Sequence, residues 1–340
     1  MKTLRYLALS AVLAAILVSC GSGKQSRKEQ HVSMQVAEAT DGVPAVYFTS
    51  EISPESLVGI YEALGLEAKG RVAVKISTGE AGGDNYLKPA LIGKLVNRVN
   101  GTIVECNTAY GGSRASTEKH LKVIEDHGFN AIAKVDIMDS EGSMKIPVAD
   151  ATHISYDLVG SHLANYDFLV NLAHFKGHAM GGFGGVLKNQ SIGVASAAGK
   201  AYIHSAGKTE DVVKAWLPGN LAAGPTQDSF LESMAAAAQA VHNYFPGKIL
   251  YINVMNNMSV DCDCDSHPAT PKVADMGIVA SLDPVACDQA ALDMVFGHTD
   301  SEGDDAKPLQ ERINRQHGTY ITEYAESIGL GSRKYHLVKL

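Results

Sequence analysis

Two histidines and a lysine fall within five positions, His174-Phe175-Lys176-Gly177-His178, directly after the apolar run 168–172. A glycine cluster follows, Gly181-Gly182-Phe183-Gly184-Gly185, then Lys188, Asn189 and, further on, His204. Imidazole titrates near neutrality and ligates metals when neutral, so His174 and His178 are acid/base candidates and His204 is a ligand candidate. An ammonium near a glycine loop suits an anion, because glycine lets backbone and ligand approach closely. Lys188 is therefore read as catalytic, and Lys176, Gly184 and Asn189 as substrate-binding. On a helix, the spacing of His174 and His178 would put both on one face, as in many metal sites. Gly177 and the glycines beyond it oppose a helix, so a loop that presents the histidines is expected. The cluster lacks the Gly-Lys-Ser/Thr ending of a phosphate loop and the Gly-x-Gly-x-x-Gly spacing of a dinucleotide fold. Solvated loop histidines are the bland alternative.

A second constellation, Asp261-Cys262-Asp263-Cys264-Asp265-Ser266-His267, packs thiols, carboxylates and an imidazole together. Thiolates and imidazoles suit zinc, nickel or iron, whereas the two thiols argue against calcium. The surrounding negative charge would raise the thiol pKa values unless a cation were present. In an extended segment, Cys262 and Cys264 would share a face with Cα atoms about 6.5 Å apart. That is the long edge of disulfide geometry, so a shared divalent metal fits better than a bridge. The structural alternative is a turn with a buried cysteine pair. A third segment, Asn107-Thr108-Ala109-Tyr110-Gly111-Gly112-Ser113-Arg114, puts Arg114 ahead of a predicted helix, where it could hold a carboxylate or phosphate. Cys106 and Cys287 read as core residues.

These segments need a frame to position them, and apolar periodicity supplies one. Strands are predicted over 45–50, 71–76, 102–106, 167–172, 248–254 and 277–282. Helices are predicted over 54–64, 88–99, 116–127, 209–216, 227–244 and 284–295. Asp283 and Pro284 form an N-cap and first-turn pair for the last of these. Alternating strands and helices imply an α/β fold, a mostly parallel sheet with helices on both faces, as one large domain or two lobes around a cleft. Such sheets bind ligands beyond the carboxyl ends of their strands. The segments 77–86, 107–116, 173–188 and 256–267 all follow strands, and all are rich in Gly, Asn, Asp, Ser, His or Cys.

The chain has 340 residues and a formal net charge of −8. No basic stripe is present and aromatics make up 6% of residues, which argues against nucleic acid as a partner. Lys2 and Arg5 precede an apolar stretch, 7–18, that is too short for a membrane span of about 20 residues. It ends in Ser19-Cys20-Gly21, the pattern of a bacterial lipoprotein signal, so residues 1–19 read as a signal peptide and Cys20 as the acylated residue. Residues 20–42 read as that cysteine plus a polar tether. The α/β domain is placed at 43–300, and 301–340 is read as a helical and strand extension. The expected location is the cell envelope, with the membrane reached through the lipid.

Four motifs occur in order: Lys176-Gly177-His178 with Gly184-Gly185-Val186-Leu187-Lys188-Asn189; Gly199-Lys200 through His204; Cys262-Asp263-Cys264; and Ser281-Leu282-Asp283-Pro284-Val285-Ala286-Cys287-Asp288. Through them the chain resembles the domain of unknown function 362 family, whose members are sometimes fused to ferredoxin modules. No Cys-x-x-Cys-x-x-Cys run is present, so no ferredoxin-type iron–sulfur module is expected. A more remote resemblance is to nickel-pincer lactate racemase-type enzymes, in which a His, a cofactor-bearing Lys and a nickel-ligating His follow one another as His178, Lys188 and His204 do here. Ser113 stands where that family's second catalytic His would be. Export in an unfolded state would also hinder delivery of a cytoplasmically built cofactor, so a nickel-pincer cofactor is not expected. The reading is a metal-dependent enzyme, isomerase or redox in type, acting on a small anion. Cys262, Cys264 and His204 would hold the metal. The alternatives are a non-catalytic metal- or ligand-binding lipoprotein and a thiol-redox protein.

Overall fold

Strongly apolar runs that also alternate in facing produce the central sheet. The computed structural model describes residues 42–217 and 225–340. The expected leader, Cys20 and nearly all of the tether lie outside the described residues. The strands of the main sheet are β1 (Ala45–Thr49), β2 (Val72–Lys75), β3 (Gly101–Glu105), β4 (Val135–Ile137), β7 (Phe168–His174), β10 (Ile249–Met255), β11 (Gly277–Ser281) and β12 (His336–Lys339). Two small hairpins, β5 (Ser143–Ile146) with β6 (Asp157–Gly160) and β8 (Lys176–His178) with β9 (Gly182–Gly184), stand beside it.

The sheet order is β12-β1-β11-β10-β7-β2-β3-β4. All pairings are parallel except the two that β11 makes, with β1 and β10. The mostly parallel α/β sheet read from the sequence is therefore present. From β2 the chain moves outward to β3 and β4 on one side, then returns to β7 and β10 on the other. The β2/β7 boundary is thus a topological switch point, where crossovers leave a crevice beyond the carboxyl ends.

Ten helices are described: α1 (Pro54–Ala63), α2 (Pro89–Arg98), α3 (Thr117–Asp126), α4 (Val186–Ser191), α5 (Ala197–His204), α6 (Val212–Ala215), α7 (Gln227–Tyr244), α8 (Pro284–Phe296), α9 (Lys307–Arg315) and α10 (Tyr320–Ser327). Strand β10 shows how two cores arise from one run. Ile249, Tyr251 and Met255 join the core that includes residues of α4, α5, α7 and α8, while Leu250, Ile252 and Val254 join the core shared with α1 and α2. Successive strand residues face opposite sides, so a continuous apolar strand supplies both layers. Asp283 caps α8 by accepting from Val285 N–H (2.8 Å) and Ala286 N–H (2.9 Å), as its Asp-Pro start implied.

Several expectations shift. Helix 209–216 contracts to α6, because Asp211 rather than Thr209 accepts from the first free amides. Helices α4 and α5 were not anticipated, since they are short and buried on nearly every face and so carry no helical apolar stripe. The 301–340 segment is woven into the fold, since β12 pairs with β1 and α10 packs on α7. The described residues all lie in one compact unit, so the cleft is bounded by loops on one sheet and not by two lobes.

Asp157, at the start of β6, is fully buried and neither of its carboxyl oxygens meets a partner of good hydrogen-bond geometry. Burial pushes its pKa up to about 8, against the pull of the Leu158 amide and the Lys200 ammonium. A raised native pKa means that stability is fully present below the unfolded value of 3.8 and is lost as pH climbs toward 8. Asp157→Asn should therefore melt higher than wild type at pH 8, by about 2–5 kcal/mol of stability, with the gap closing near pH 4. Thermal melts across that range check this; a gap independent of pH would contradict it.

Candidate functional site

The crevice at the switch point is a cavity of about 250 Å³. Each of the four polar segments flagged after strands contributes to its wall, through Ser77, Arg114, His178 and Cys262 among others. Three strand ends bring ionisable groups to it: Lys75 from β2, Glu105 from β3 and His174 from β7.

The thiol-bearing loop is docked by close backbone contact. Gly177 N–H donates to Ser259 O (2.8 Å), and a Cβ on Gly177 would lie 2.2 Å from Val260 O, so only glycine fits there. Arg312 of α9 donates to Val260 O (2.9 Å) and Asp261 Oδ1 (3.2 Å). Within the loop, Asp263 is buried between His174 and Lys176. Its Oδ1 meets His174 Nδ1 at 2.8 Å and its Oδ2 meets Lys176 Nζ at 2.7 Å. Burial alone would raise its pKa, but His174 and Lys176 together hold it well below the usual carboxylate range.

This pairing fixes the role of His174. Its Nε2 faces Asn256 O at 2.6 Å, so both ring nitrogens are occupied by oxygen atoms of the protein and neither is left for another partner. In this arrangement His174, read from sequence as an acid/base group, positions the cysteine loop. Lys176, read as substrate-binding, is likewise paired with Asp263.

Cys262 and Cys264 sit on a turn closed by Asp265 N–H to Cys262 O (2.9 Å), not on a strand, so the strand-based separation does not apply. Cys264 N–H points at Cys262 Sγ (3.2 Å), and Lys188 Nζ lies 3.8 Å from that sulfur. Cys264, Lys188 and His178 pull the Cys262 pKa well down against burial. The partner thiol of Cys264 moves well up, through its hydrogen bond to Cys262 and its burial. One proton is therefore shared by a pair in which Cys262 carries the charge. Burial works against the Lys188 ammonium, yet Cys262, Cys264 and Asp263 raise its pKa overall. A ring nitrogen of His178 and the two sulfurs all lie within 4.8 Å of one another, so this His/Cys group could hold a metal ion.

His178 Nδ1 accepts from Gly181 N–H (2.8 Å) and Met180 N–H (3.3 Å). The neutral ring, favoured by burial and by Lys188, then carries its proton on Nε2, which is left to donate to Cys262. His204 is arranged the other way. Its Nδ1–H donates to Lys200 O (2.7 Å), and burial drops its pKa to about 3. It lines the same cavity but lies outside the close His/Cys group.

Helix α4, which carries Lys188, is anchored by a buried carboxylate. Asp288 of α8 accepts from Val186 N–H (2.8 Å) and Leu187 N–H (2.9 Å), covering the helix N-terminus. A Cβ on Gly185 would sit 2.2 Å from Asp288 Oδ1, which explains one glycine of the cluster. Gly184 abuts Lys176 and Lys188, its would-be Cβ 3.4 Å from Lys176 Cε. Asn189 is held on all sides, donating to Lys75 O (3.0 Å) and Asn171 Oδ1 (2.7 Å) and accepting from Lys75 Nζ (3.2 Å). Arg114 is 4% exposed and pairs with Glu80 (3.2 Å) and Glu105 (3.3 Å). Glu105 also pairs with Lys75 at 2.9 Å, and these cations hold its pKa at about 2 despite burial. Asn189 and Arg114, both read as substrate contacts, therefore have internal partners. Glu80 and Glu105 carry no spacing signal in the sequence as lone carboxylates, and Asp263 and Asp288 stood in quoted motifs without a role. Lys200 stood in a quoted motif without a role.

Fold and site together define an α/β protein with a buried His/Cys/Lys centre at the switch point of a mostly parallel sheet. Residues 72–293 match the family model described as Domain of unknown function (DUF362), and the chain belongs to that family. No curated protein matches it. Among solved structures, the lactate racemase apoprotein from Thermoanaerobacterium thermosaccharolyticum is similar at 15% identity and a TM-score of 0.37. The match covers 63% of this chain and 50% of that one, so the chain spans half of that protein's length, and a likeness of this degree carries no argument about activity.

Asp263→Asn keeps the shape and removes the charge that His174 and Lys176 share. It should cost roughly 3–5 kcal/mol in urea unfolding at pH 7. It should also speed the reaction of Cys262 and Cys264 with a thiol reagent by freeing their loop. Because the native pKa of Asp263 is depressed, its contribution is present above the unfolded value of 3.8 and is lost as pH falls. The stability gap should therefore shrink in acid.

Proposed function

We infer that this protein is a metal-dependent enzyme acting on a small anion. The observation that carries the reading is the His178, Cys262 and Cys264 group on the wall of a cation-rich cavity. Two thiols and an imidazole form a soft donor set suited to zinc, nickel or iron, and three protein ligands leave a position open for chemistry. A metal bound there would supply a Lewis acid. Ligation through His178 Nε2 requires its proton to leave and the Gly181 N–H bond to Nδ1 to be given up. Lys188, beside Cys262, would orient the anion, and the apolar wall around Ile192 and Met180 would exclude water. In the same reading Cys20 is acylated and holds the domain at the cell envelope, an assignment supported by the leader pattern. Among the described residues no helix is long and apolar enough to cross a membrane.

One observation favours a second reading. The His178 tautomer, the Cys264 amide and Lys188 all stabilise a Cys262 thiolate without a metal, as a thiol-redox centre would need.

Elemental analysis of the full-length protein, purified without chelators under reducing conditions, separates the two. Near-stoichiometric metal in wild type, lost in Cys262→Ser/Cys264→Ser, is the expected result. Metal uptake should also release protons and tighten as pH rises, since the Cys264 thiol holds its proton. Absence of metal, with reversible oxidation of the two thiols to a disulfide, would transfer the assignment to redox. For the anchor, incorporation of labelled fatty acid should disappear in Cys20→Ser.

A further inference from the structure

Among the described residues, the cavity's cations are matched one by one, with a single exception. Arg114 faces Glu80 and Glu105, Lys75 faces Glu105, Lys176 faces Asp263, and Lys188 lies by the Cys262 sulfur. Lys200 is 7% exposed and lines the cavity, and no carboxylate among the described residues lies within ion-pair distance of it. Asp157 feels its charge but makes no ion pair with it. Lys200 Nζ makes one hydrogen bond, to Ala195 O (2.6 Å), and an ammonium has three donors to place. A buried cation with spare donors and no ion-pair partner among the described residues is an unmet demand for an anion.

One turn further along α5, His204 shares the helix face of Lys200. Its ring is fixed by the Nδ1–H bond to Lys200 O and by stacking on Phe230, at 4.8 Å between centroids and 24° between planes. Trp216 closes the other side at 5.2 Å. With Nδ1 donating, Nε2 keeps a lone pair. No group of the described residues hydrogen-bonds that atom, and it is not among the buried, unpartnered atoms, so it reaches the cavity.

We propose that Lys200 and His204 form an anion-recognition subsite, in which the Lys200 ammonium binds the ligand's charge and His204 Nε2 accepts a hydrogen bond from a donor group on the same small molecule. The class selected is a compact anion bearing a hydroxyl or similar donor beside its charged group, in preference to the same anion without it. This rests on the reading of the cavity as a site for small anions and is independent of the metal, because neither residue belongs to the His/Cys group. His204 then has a recognition role, separate from the ligand role its position in the sequence implies.

Titration calorimetry with acetate and glycolate, which differ by one hydroxyl, tests the subsite on the full-length protein. Wild type should bind glycolate about three- to tenfold more tightly than acetate, as one hydrogen bond permits. Lys200→Met should weaken both at least tenfold, with Lys200→Arg restoring part of the loss. His204→Phe, which keeps the stacking, should abolish the preference for glycolate. The ¹⁵N resonance of His204 Nε2 in wild type should move on adding glycolate and stay nearly still with acetate, a readout that does not depend on any variant folding. Equal affinities in wild type and folded Lys200→Met, or a His204 signal unmoved by saturating glycolate, would overturn the subsite alone. Failure of wild type to bind either anion would remove the small-anion reading and the subsite with it, while the metal content remains a separate result.

Discussion

Asp263 is the group on which the rest of the site depends. A carboxylate with no solvent is costly unless its charge is matched and its oxygens are bonded. Here one oxygen takes His174 from the end of β7 and the other takes Lys176 from β8. Its own backbone carbonyl accepts from Glu80 N–H at 2.7 Å, which brings in the loop after β2. Two segments far from it in sequence are thereby locked around one residue, and the flanking Cys262 and Cys264 are carried with it. Cys262 Sγ lies 3.8 Å from Lys188 Nζ, while the neighbouring Asp263 turns to His174 and Lys176.

The same logic of matched charge runs across the floor of the cavity. Glu105 is shared by Lys75 and Arg114, and Thr78 N–H adds a bond at 2.8 Å. Asn189 and Asn171 extend the network from β2 through β7 to α4. A fully bonded polar network in a buried setting is rigid, since each partner lost leaves another unsatisfied. That rigidity suits a site in which Lys188 and Cys262 must keep a fixed separation. It also makes Lys200, left outside the network, conspicuous on physical grounds.

The frame was largely legible in the sequence. Apolar runs such as 248–254 and the Asp283-Pro284 start reported their own elements, because strand burial and helix capping are local properties. The concentration of His, Lys, Gly and Cys after strands pointed to the correct end of the sheet. Local pattern failed where tertiary contact overrides it. Helix α4 is buried on nearly all sides and shows no amphipathic stripe. The Gly181–Gly185 cluster looked like a ligand loop, yet Gly185 exists in part to admit the Asp288 carboxylate.

What the sequence by itself determined was the class of fold, the identity of the reactive groups and the end of the sheet where they gather. These follow from hydrophobic periodicity and side-chain chemistry, which neighbours in the chain express without help. Which of those groups remain available was decided only by the tertiary structure. His174, Lys176, Arg114 and Asn189 are tied down by partners from 9 to 114 positions away, whereas His204 keeps a lone pair because its one bond is to its own helix. A residue's type states what it can donate or accept. Only the approach of distant segments settles whether that capacity is already filled.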